Sequence, residues 1–354
     1  MSQYRPIPAA GGAAQTPALV AEMLLEYGDT ARAVMERYLT SDAPSPYLHD
    51  LLTDYPRRGG KMMRPSICIA HARAFGGDIE QAVITAASIE LLHNALLIHD
   101  DIEDRSEVRR GKPTLHELHG IPLALNAGDM LMLMSLRPLI DNVPRLGERL
   151  AFELLRETEM MARQTAEGQA LELGWRDRNH TDVTEADYLT MVLKKTAWLS
   201  TIYPARVGAL IGSEGRVDPS IFMQFGFFLG AAFQIQDDLL NLVADERYGK
   251  ELNGDLFEAK RTLILIHAQQ ACCAADRKIL DELLSLPREQ RTADHVAWIR
   301  ETLDRYGSIE YARRFAQALA GAASYEYSQI YGDLPDSRDK RFIGGLITWV
   351  FERT

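Results

Sequence analysis

Residues 81–101 read QAVITAASIELLHNALLIHDD and residues 220–243 read SIFMQFGFFLGAAFQIQDDLLNLV, and these two stretches decide the fold. In both, apolar residues recur at spacings of three and four, which is the period of an α-helix. Both are apolar around more of their circumference than a surface helix is, which is typical of helices in the middle of a bundle. Each carries a pair of aspartates towards its end, which stability alone does not require.

The helical period extends over nearly all of the remaining chain. It recurs at residues 18–27, 151–173 and 187–203, and the breaks between periodic segments are short. Short alternating runs joined by Asn-Gly or Asp-Gly turns, which indicate strands and hairpins, are missing from the sequence. The sequence therefore predicts an all-α fold, with one helical-bundle domain over residues 17–354 and a flexible N-terminal tail at residues 1–16.

The composition indicates a globular protein. The chain has 354 residues, of which 46% are hydrophobic and 25% are charged, and its formal net charge is -11. An acidic balance argues against general nucleic-acid binding, which relies on a basic surface. No stretch reaches the roughly 18 consecutive apolar residues that a membrane-spanning helix needs. The N-terminus also lacks the apolar run of a secretory signal.

The three cysteines, Cys68, Cys272 and Cys273, suggest neither a disulfide framework nor a metal-binding CxxC pair. Such sparse use of cysteine suits a reducing compartment. We therefore expect a cytoplasmic protein in which the two adjacent cysteines fill space in a helical stretch.

The first acidic motif is HDDIEDRSEVRRGKPT, residues 99–114. Asp100 and Asp104 are four residues apart, so on a helix they share one face, which His93 and Leu97 extend towards the N-terminus. Like charges at this spacing destabilise a helix unless a cation neutralises them. Hard carboxylate oxygens without His or Cys ligands favour Mg²⁺, which binds one or two carboxylates together with substrate phosphates.

The second acidic motif is QIQDDLLN, residues 234–241. Gln234, Asp237 and Asn241 fall on one helical stripe, with Asp238 beside them. A single motif of this kind is more often an acidic helix end that faces solvent. Two such motifs, each following a long apolar run, indicate a metal site inside the bundle.

Basic residues cluster after the first acidic motif and in the Gly-Gly segment GGKMMRP, residues 59–65, which contains Lys61 and Arg64. Backbone N–H groups at such a helix start, with Lys and Arg nearby, suit a phosphate. Further basic candidates are Arg109, Arg110, Lys195 next to Thr196, and Lys250 and Lys260 on either side of Asp255. Each alone is more often a surface charge. Together they suit two diphosphates, one held through Mg²⁺ and lysines, the other through direct Arg and Lys contacts.

In their order and spacing, these segments resemble the trans-isoprenyl (polyprenyl) diphosphate synthases, over about residues 55–265. The resemblance rests on GGKMMRP, DDIED followed by RRGKPT, GQALEL, KKTA, FQIQDDLLN and GDLFEAKRT. Single motifs are modest evidence, whereas the ordered series is specific. The resemblance implies a prenyltransferase with an all-helical fold around a central active-site cavity, usually as a homodimer.

The activity implied is Mg-dependent head-to-tail (1'-4) condensation of an allylic prenyl diphosphate with isopentenyl diphosphate, with release of diphosphate. Dimethylallyl, geranyl and farnesyl diphosphates are the allylic substrates implied. The resemblance also implies three Mg²⁺ ions, two bound by Asp100 and Asp104 and a third by Asp237, with support from Asp101 and Asp238.

The same resemblance assigns the substrate contacts by position. The allylic diphosphate would contact Arg109, Lys195, Lys250 and Lys260, with Thr196 and Gln234 near its reacting end. Isopentenyl diphosphate would bind at Gly60, Lys61, Arg64, His93 and Arg110. The catalytic set would be Asp100, Asp104, Asp237, Lys195 and Arg109, and Gln169 would also line the site.

Three positions depart from the family pattern. Glu172 stands where Asp is common, Asn241 replaces the last Asp of the second motif, and Ala259 replaces a common Gly. None of these changes removes a residue to which a direct metal contact is assigned. We therefore expect the protein to be an active enzyme, and we expect these three differences to change only its rate and its affinity for metal.

Product length should depend on the residues one to two turns before Asp100, namely Leu92, Ala95 and Leu96. In short-chain members of the family, an aromatic side chain closes the cavity here. Ala95 leaves it open, while the two leucines obstruct it only partly. We expect geranylgeranyl diphosphate, with twenty carbons, as the product, and we expect Ala95→Phe to shorten it; farnesyl or longer-chain products are the alternatives.

Other functions are less well supported by the sequence. A terpene cyclase would share the metal site but would need no second diphosphate site, so GGKMMRP and the adjacent Arg109 and Arg110 argue against it. A catalytically silent partner subunit would typically lose an acidic motif, and both are present. A purely structural scaffold would not need buried helices that end in paired acids.

Overall fold

The computed structural model describes residues 16–40, 46–243 and 253–352, and nearly all of this chain is helical. The α-helices are α1 Thr16–Leu39, α2 His49–Arg57, α3 Met63–Ala74, α4 Ile79–Asp104, α5 Leu115–His119, α6 Ile121–Met134, α7 Leu136–Asp141, α8 Val143–Leu146, α9 Glu148–Asp177, α10 Glu185–Val192, α11 Tyr203–Gly212, α12 Phe222–Val243, α13 Gly254–Glu258, α14 Leu263–Ala271, α15 Ala274–Ser285, α16 Ala293–Arg305, α17 Ser308–Tyr331 and α18 Arg338–Glu352. A π-helix, Leu193–Ile202, continues α10, and Pro219–Ile221 and Arg288–Gln290 are single 3₁₀ turns. The all-α fold predicted from the sequence is confirmed.

The domain boundaries stay a prediction. Of the expected tail, residues 1–15 lie outside the described part of the chain, and Thr16 already begins α1. Helical structure then continues to Glu352 near the C-terminus.

The central helix of the bundle is α4. A reciprocal pair of hydrogen bonds between Asp78 and Gln81 caps its first turn and satisfies N–H groups that a helix start leaves unpaired. The helix packs against α1, α3, α6 and α11. It ends at Asp104, because the next residue, Arg105, has a left-handed φ of 54°. The first acidic motif therefore occupies the last turns of the central helix.

The second apolar stretch forms α12, which packs against α17 and the π-helix. Close approach to the π-helix requires a residue without a side chain at Gly230. A Cβ atom there would lie 2.7 Å from the Cβ of Ala197, closer than real Cβ contacts allow. The packing brings the second acidic motif beside the residues of the KKTA segment.

A two-stranded antiparallel ribbon lies in the RRGKPT break, where β1 (Val108–Arg109) pairs with β2 (Lys112–Pro113). The turn residues Arg110 and Gly111 have φ values of 53° and 72°, as a tight hairpin turn requires. The sequence predicted no strand here because two-residue strands are too short to show alternation. The ribbon places Arg109 and Arg110 after α4 without changing the fold class.

Two helical segments of the described chain are long and apolar enough to cross a membrane, judged by length and composition alone. The first is residues 79–104, in α4, and 72% of its apolar window is buried inside the protein. The second is residues 121–146, from α6 to α8, and 39% of its window is buried. Neither segment shows a membrane span. The first is apolar because it is mostly buried in the bundle, and the second meets the criterion by length and composition only.

Candidate active site

A cavity of about 460 Å³ lies between α4, α9, the π-helix and α12. Both acidic motifs reach it, Asp100 from α4 and Asp237 and Asp238 from α12. A smaller cavity of about 70 Å³ adjoins it and is lined by Asp100 and Asp104. The two motifs therefore share one site, as the sequence led us to expect.

The structure gathers most of the predicted site residues around the larger cavity. Those that line it are Arg64, His93, Leu96, Asp100, Arg109, Gln169, Lys195, Thr196, Gln234, Asp237, Asp238 and Lys260. Those that line neither cavity are Gly60, Lys61, Leu92, Ala95, Asp101 and Arg110. Lys250 lies outside the described residues.

The carboxylate of Asp100 accepts hydrogen bonds from cavity-lining donors on three other elements, α9, the π-helix and β1. Gln169 Nε2 lies 3.3 Å from Asp100 Oδ1, Lys195 Nζ lies 3.4 Å from the same oxygen, and Arg109 Nη2 lies 3.5 Å from Oδ2. Two of these three donors, Lys195 and Arg109, are cationic, so the negative charge of Asp100 is compensated from two sides.

The side chain of Asp101 is fully buried and lines neither cavity. Its Oδ2 accepts a hydrogen bond of 2.5 Å from the hydroxyl of Tyr55, and Oδ1 lies 2.9 Å from Arg109 Nε. Burial raises the pKa of Asp101, and the guanidinium of Arg109 opposes that shift. Asp101 therefore fixes Arg109, which in turn reaches Asp100, while its predicted role in supporting a metal ion stays a prediction.

In the second acidic motif, Asp238 is held by neutral donors. Tyr188 donates its hydroxyl over 2.9 Å and Gln234 donates Nε2 over 2.8 Å, while Thr196 donates to Gln234 over 2.8 Å. Burial and the negative charge of Asp255 raise the pKa of Asp238 to about 8. A divalent cation beside this group would favour its ionised form.

Two lysines neutralise the acids around the cavity. Lys195 on the π-helix pairs with Glu172 and Asp100. Although burial lowers the pKa of Lys195, those carboxylates raise it overall, so the amine stays charged. Lys260 Nζ lies 2.8 Å from Asp104 and 2.9 Å from Glu258. Both amines can turn from carboxylates to a diphosphate placed in the cavity.

A second group of basic residues surrounds Arg64, which lines the same cavity as Asp100 and Asp237. Arg64 donates from Nη2 to Ser200 Oγ over 2.7 Å, while its buried Nε has no hydrogen-bond partner among the described residues. Burial lowers the pKa of Arg64 to about 10, so it remains cationic at neutral pH. Arg110 donates from Nη1 to the backbone oxygen of Tyr55 over 2.9 Å. An anion placed here would satisfy the unpaired donor.

The buried carboxylate of Glu90 lies beside this basic group, and His93 Nδ1 lies 3.2 Å from it. Burial opposes ionisation of Glu90, but His93, Arg64 and Arg110 lower its pKa overall. Burial and the charge of Arg64 lower the pKa of His93 to about 4, so its imidazole is neutral at pH 7. Glu90 thus offsets part of the positive charge that would otherwise force the arginines apart.

Gly60 and Lys61 lie at the edge of the basic group. A Cβ atom at Gly60 would lie 2.8 Å from Arg110 Nη2, so a larger residue there would make the guanidinium shift. Lys61 is exposed, and its Nζ lies 5.6 Å from the centre of the Trp349 ring on α18. Together with Arg64 and Arg110, these residues form one basic surface at the start of α3.

The π-helix gives the site its local geometry. π-helical turns are rare and often occur at functional sites. The wide turn places Lys195, Thr196 and Leu199 all on the cavity. It also brings the backbone of Lys195 against α9 at Gly168, where a Cβ atom would lie only 2.2 Å from the Lys195 nitrogen. The glycine of GQALEL therefore permits the contact that positions Lys195.

The residues predicted to set product length occupy different surroundings. Leu96 lines the cavity, together with Met132 of α6 and Thr165 of α9. Ala95 is fully buried in the core cluster that α4 forms with α2 and α6, and Leu92 is buried in the main core. The role of these positions in product length stays a prediction, and the structure makes Leu96 the one most directly open to the cavity.

The carboxylates fit a hard divalent cation that is shared with a substrate. In the described part of the chain, no three His, Cys, Asp or Glu side chains converge closely enough to hold an ion by themselves. The acids line opposite sides of a cavity instead, with lysines between them. Mg²⁺ suits such a site, because it commonly uses one or two carboxylates and takes its other ligands from phosphates and water.

The sequence profile of the polyprenyl synthetase family matches residues 45–303. The chain belongs to this family. It is 35% identical over 301 residues to a short chain isoprenyl diphosphate synthase of Methanothermobacter thermautotrophicus, covering 84% of this chain and 88% of that protein. It is 33% identical over 298 residues to a geranylgeranyl diphosphate synthase of Sulfolobus acidocaldarius, covering 82% and 86%.

Solved structures agree with this assignment. A geranylgeranyl pyrophosphate synthetase from Pyrococcus horikoshii superimposes with a TM-score of 0.82 at 29% identity, covering 96% of this chain and 100% of that one. The polyprenyl synthetase family membership predicted from the motif series is confirmed, and the chain is a prenyltransferase that elongates prenyl chains.

The structure shows the contacts or the backbone conformation of the three residues that depart from the family pattern. Glu172 reaches Lys195 and pairs with it, so the longer acid still contacts the lysine. Asn241 accepts a hydrogen bond from the backbone nitrogen of Asp255 over 3.1 Å. Ala259 has a left-handed φ of 57°, which glycine adopts without steric cost. Only the last departure introduces backbone strain.

Sequence reasoning missed Glu90 and Arg176. Glu90 had a detectable signal, since it is a charged residue inside the apolar run SIELLHNALL of the predicted central helix. Arg176 had none, because it lies in a charged run at a helix end that reads as a solvated surface. Its side chain nevertheless contacts Asp104 over 2.7 Å.

Proposed function

We propose that this chain catalyses Mg²⁺-dependent condensation of an allylic diphosphate with isopentenyl diphosphate, and that geranylgeranyl diphosphate is its product. Three Mg²⁺ ions would be held by Asp100, Asp104 and Asp237 and by the allylic diphosphate, with Asp101 and Asp238 in support. When bound, they would stabilise the charge on the departing diphosphate. Dimethylallyl, geranyl and farnesyl diphosphates are the proposed allylic substrates.

One observation supports this proposal: cationic side chains lie in two groups with different surroundings. Around Asp100 and Asp237, carboxylates and lysines suit a diphosphate complexed with metal. Around Arg64, the unpaired Nε and the neighbouring Arg110 suit a diphosphate bound without metal. A reaction that joins two diphosphate substrates requires both regions.

The side chains suggest a sequence of steps. Lys195, Lys260 and Arg109 would stabilise the diphosphate as the C1–O bond of the allylic substrate breaks, because fixed charges favour the developing anion. The apolar part of the cavity would exclude water from the allylic cation. The isopentenyl double bond would then attack C1 and form the new C–C bond. Loss of a proton would restore a double bond, with the released diphosphate as the acceptor.

The test is to incubate purified protein with Mg²⁺ and an allylic diphosphate, with and without labelled isopentenyl diphosphate, and to identify the products by chromatography. We expect labelled prenyl diphosphates only when both substrates are present. Cyclic hydrocarbons formed without isopentenyl diphosphate would identify a terpene cyclase. No turnover by the purified chain alone would favour a silent partner subunit.

The twenty-carbon product is supported by a relative and by the residues that line the cavity beside α4. The Sulfolobus acidocaldarius relative is named a geranylgeranyl diphosphate synthase. The wall beside α4 is aliphatic where Leu96 and Met132 line the cavity. A predominantly fifteen-carbon or longer-chain product in the assay would contradict this part of the proposal.

We expect Leu96→Phe to shorten the main product from twenty to fifteen carbons. The larger ring would fill part of the cavity that Leu96 lines, leaving less room for the growing chain. Product length is measured by chromatography after hydrolysis of the diphosphate. Leu91→Met is the control, because Leu91 is fully buried in the core away from the cavity and the change conserves volume. Unchanged product length in Leu96→Phe would remove this position from the chain-length wall.

We also propose that the protein is a cytoplasmic homodimer that binds no nucleic acid. Of the sixteen large hydrophobic residues exposed in the described ranges, ten lie between residues 118 and 155. They include Leu125 and Leu133 on α6 and Phe152 on α9, and they form the apolar band of α5 to α9. Apolar surface concentrated in this way is typical of protein interfaces, and a second copy of the chain would bury it.

Sedimentation velocity should therefore show a species of twice the chain mass of 39.7 kDa. Leu133→Glu should shift this species towards the monomer, because Leu133 is 65% exposed at the middle of the apolar band and a buried carboxylate would be unpaired. Leu25→Glu is a matched control, since Leu25 is 68% exposed on α1, outside the band. A monomeric wild-type chain, or equal effects of the two variants, would contradict the proposed interface.

A further inference from the structure

Arg176, in the last turn of α9, contacts the end of α4. Its Nη1 donates to Asp104 Oδ1 over 2.7 Å, and its Nη2 donates to the backbone oxygen of Glu103 over 2.8 Å. Its Nε also lies 3.5 Å from Oδ1 of Asp177, which is largely exposed. Arg176 is 19% exposed and the Asp104 side chain is 1% exposed, so the contact lies within the protein.

The position of Arg176 separates it from the other cations of the acidic site. Arg109 and Lys195 contact Asp100, and Lys260 contacts Asp104. These three side chains line the cavities and can turn towards a bound diphosphate. Arg176 lines neither cavity and approaches Asp104 from the side of α9. It can therefore keep its contact with Asp104 when substrate enters.

Both hydrogen bonds that Arg176 donates go to residues in the last turn of α4. The last four carbonyl groups of an α-helix lack partners within the helix, and α4 ends at Asp104. Arg176 satisfies the carbonyl of Glu103 and holds the carboxylate of Asp104 with one planar group. A guanidinium can make both bonds at fixed geometry, which a lysine cannot.

The two oxygens of Asp104 have different surroundings. Oδ1 is bound by Arg176, which stays outside the cavity, whereas Oδ2 is bound by Lys260, which lines it. When Lys260 turns to a diphosphate, Oδ2 becomes available while Oδ1 remains fixed. The carboxylate would then present a single oriented oxygen to a cation.

We propose that Arg176 is a positioning residue that orients the carboxylate of Asp104 for binding a divalent cation. This role rests on the proposed function, because it assigns Asp104 to the metal site. Groups that orient a metal ligand typically contribute about 10-fold to 100-fold in metal affinity. Arg176→Gln should weaken Mg²⁺ binding by about tenfold, even though removal of a positive charge would by itself strengthen it. If Arg176 orients Asp104, the substitution should weaken Mg²⁺ binding. If Arg176 acts only through its charge, the substitution should strengthen Mg²⁺ binding.

The experiment measures Mg²⁺ binding in the presence of inorganic pyrophosphate, by calorimetry and by the metal-induced shift in melting temperature, without turnover. Arg176→Gln is compared with Arg176→Lys and with the wild type. Arg105→Gln is the matched control, because Arg105 follows Asp104 directly but its side chain is 71% exposed and pairs with Glu289. Steady-state assays add the Mg²⁺ half-saturation and the KM for isopentenyl diphosphate.

We expect weaker Mg²⁺ binding in Arg176→Gln, a partial recovery in Arg176→Lys and wild-type binding in Arg105→Gln. The KM for isopentenyl diphosphate should stay the same, because Arg176 contacts Asp104 and Glu103 and not the residues assigned to this substrate. Unchanged or tighter Mg²⁺ binding in Arg176→Gln, with normal binding by the wild type, would overturn the positioning role alone. Absence of Mg²⁺ and pyrophosphate binding by the wild type would overturn the proposed function as well.

Discussion

Replacement of Asp100 or Asp237 by alanine should lower turnover on the order of a thousandfold, comparable to or beyond the loss of one preorganised electrostatic group at a reaction centre. The two carboxylates come from different helices and line the same cavity. Each substitution would remove one of the three carboxylates assigned to the cations, of which Asp104 is the third. Turnover is measured with saturating allylic and isopentenyl diphosphates over a range of Mg²⁺ concentrations.

The fold should survive both substitutions. Asp100 is partly exposed in the cavity, with 25% of its side-chain surface accessible, so its replacement does not empty a closed part of the core. Removing one charge from a cluster of like charges also relieves repulsion. Circular dichroism and melting temperature should therefore stay close to those of the wild type. Turnover near the wild-type level in either variant would contradict the assignment of these residues.

Glu80→Gln is the matched control for these variants. Glu80 lies on the same helix as Asp100 but in its first turn, where it is exposed. The change removes one carboxylate from α4 at the end away from the cavity. We expect wild-type turnover, so that a loss in the Asp100 variant can be attributed to the site.

Gly168→Ala should lower turnover on the order of a hundredfold and destabilise the protein by about 1–3 kcal/mol. A Cβ atom at Gly168 would lie 2.2 Å from the nitrogen and 2.7 Å from the Cα of Lys195. Both are backbone atoms, so no side-chain rotation can relieve the clash. The π-helix would have to move away from α9, and Lys195 would leave its place beside Asp100.

Gly174→Ala tests whether the effect comes from the clash. Gly174 lies on the same helix, α9, and a Cβ atom there would meet nothing within 4 Å. Alanine has a higher helix propensity than glycine by about 1 kcal/mol. We therefore expect Gly174→Ala to be neutral or slightly stabilising, with full activity. Both variants are compared by chemical denaturation and by turnover, and equal behaviour would contradict the clash argument.

Much of the site was accessible from the sequence because its residues lie on long helices of regular period. The spacing of Asp100 and Asp104 gave one helical face, and the apolar runs before both motifs indicated helices inside the bundle. The structure places Asp100 and Asp237 on one cavity accordingly. Periodicity within a helix thus predicts which of its residues face the same way.

Contacts between helices were harder to predict, because periodicity does not give the distance or rotation of neighbouring helices. Ala95 and Leu96 are adjacent in sequence, yet only Leu96 lines the cavity, since α6 packs against the side of α4 that carries Ala95. The contact between Arg176 and Asp104 spans 72 residues along the chain. The π-helical turn that positions Lys195 also has no spacing pattern of its own in the sequence.

The position of Asp104 as the last residue of α4 has an electrostatic consequence. Peptide dipoles aligned along a helix place roughly half a negative charge at its C-terminus. At α4 this partial charge adds to the carboxylates, so the backbone itself attracts cations to that end of the cavity. The negative potential at this end of the helix would repel a free diphosphate. It would not repel a diphosphate whose charge a bound cation has already compensated. The direction of the central helix would thereby favour entry of the proposed allylic diphosphate as a cation complex.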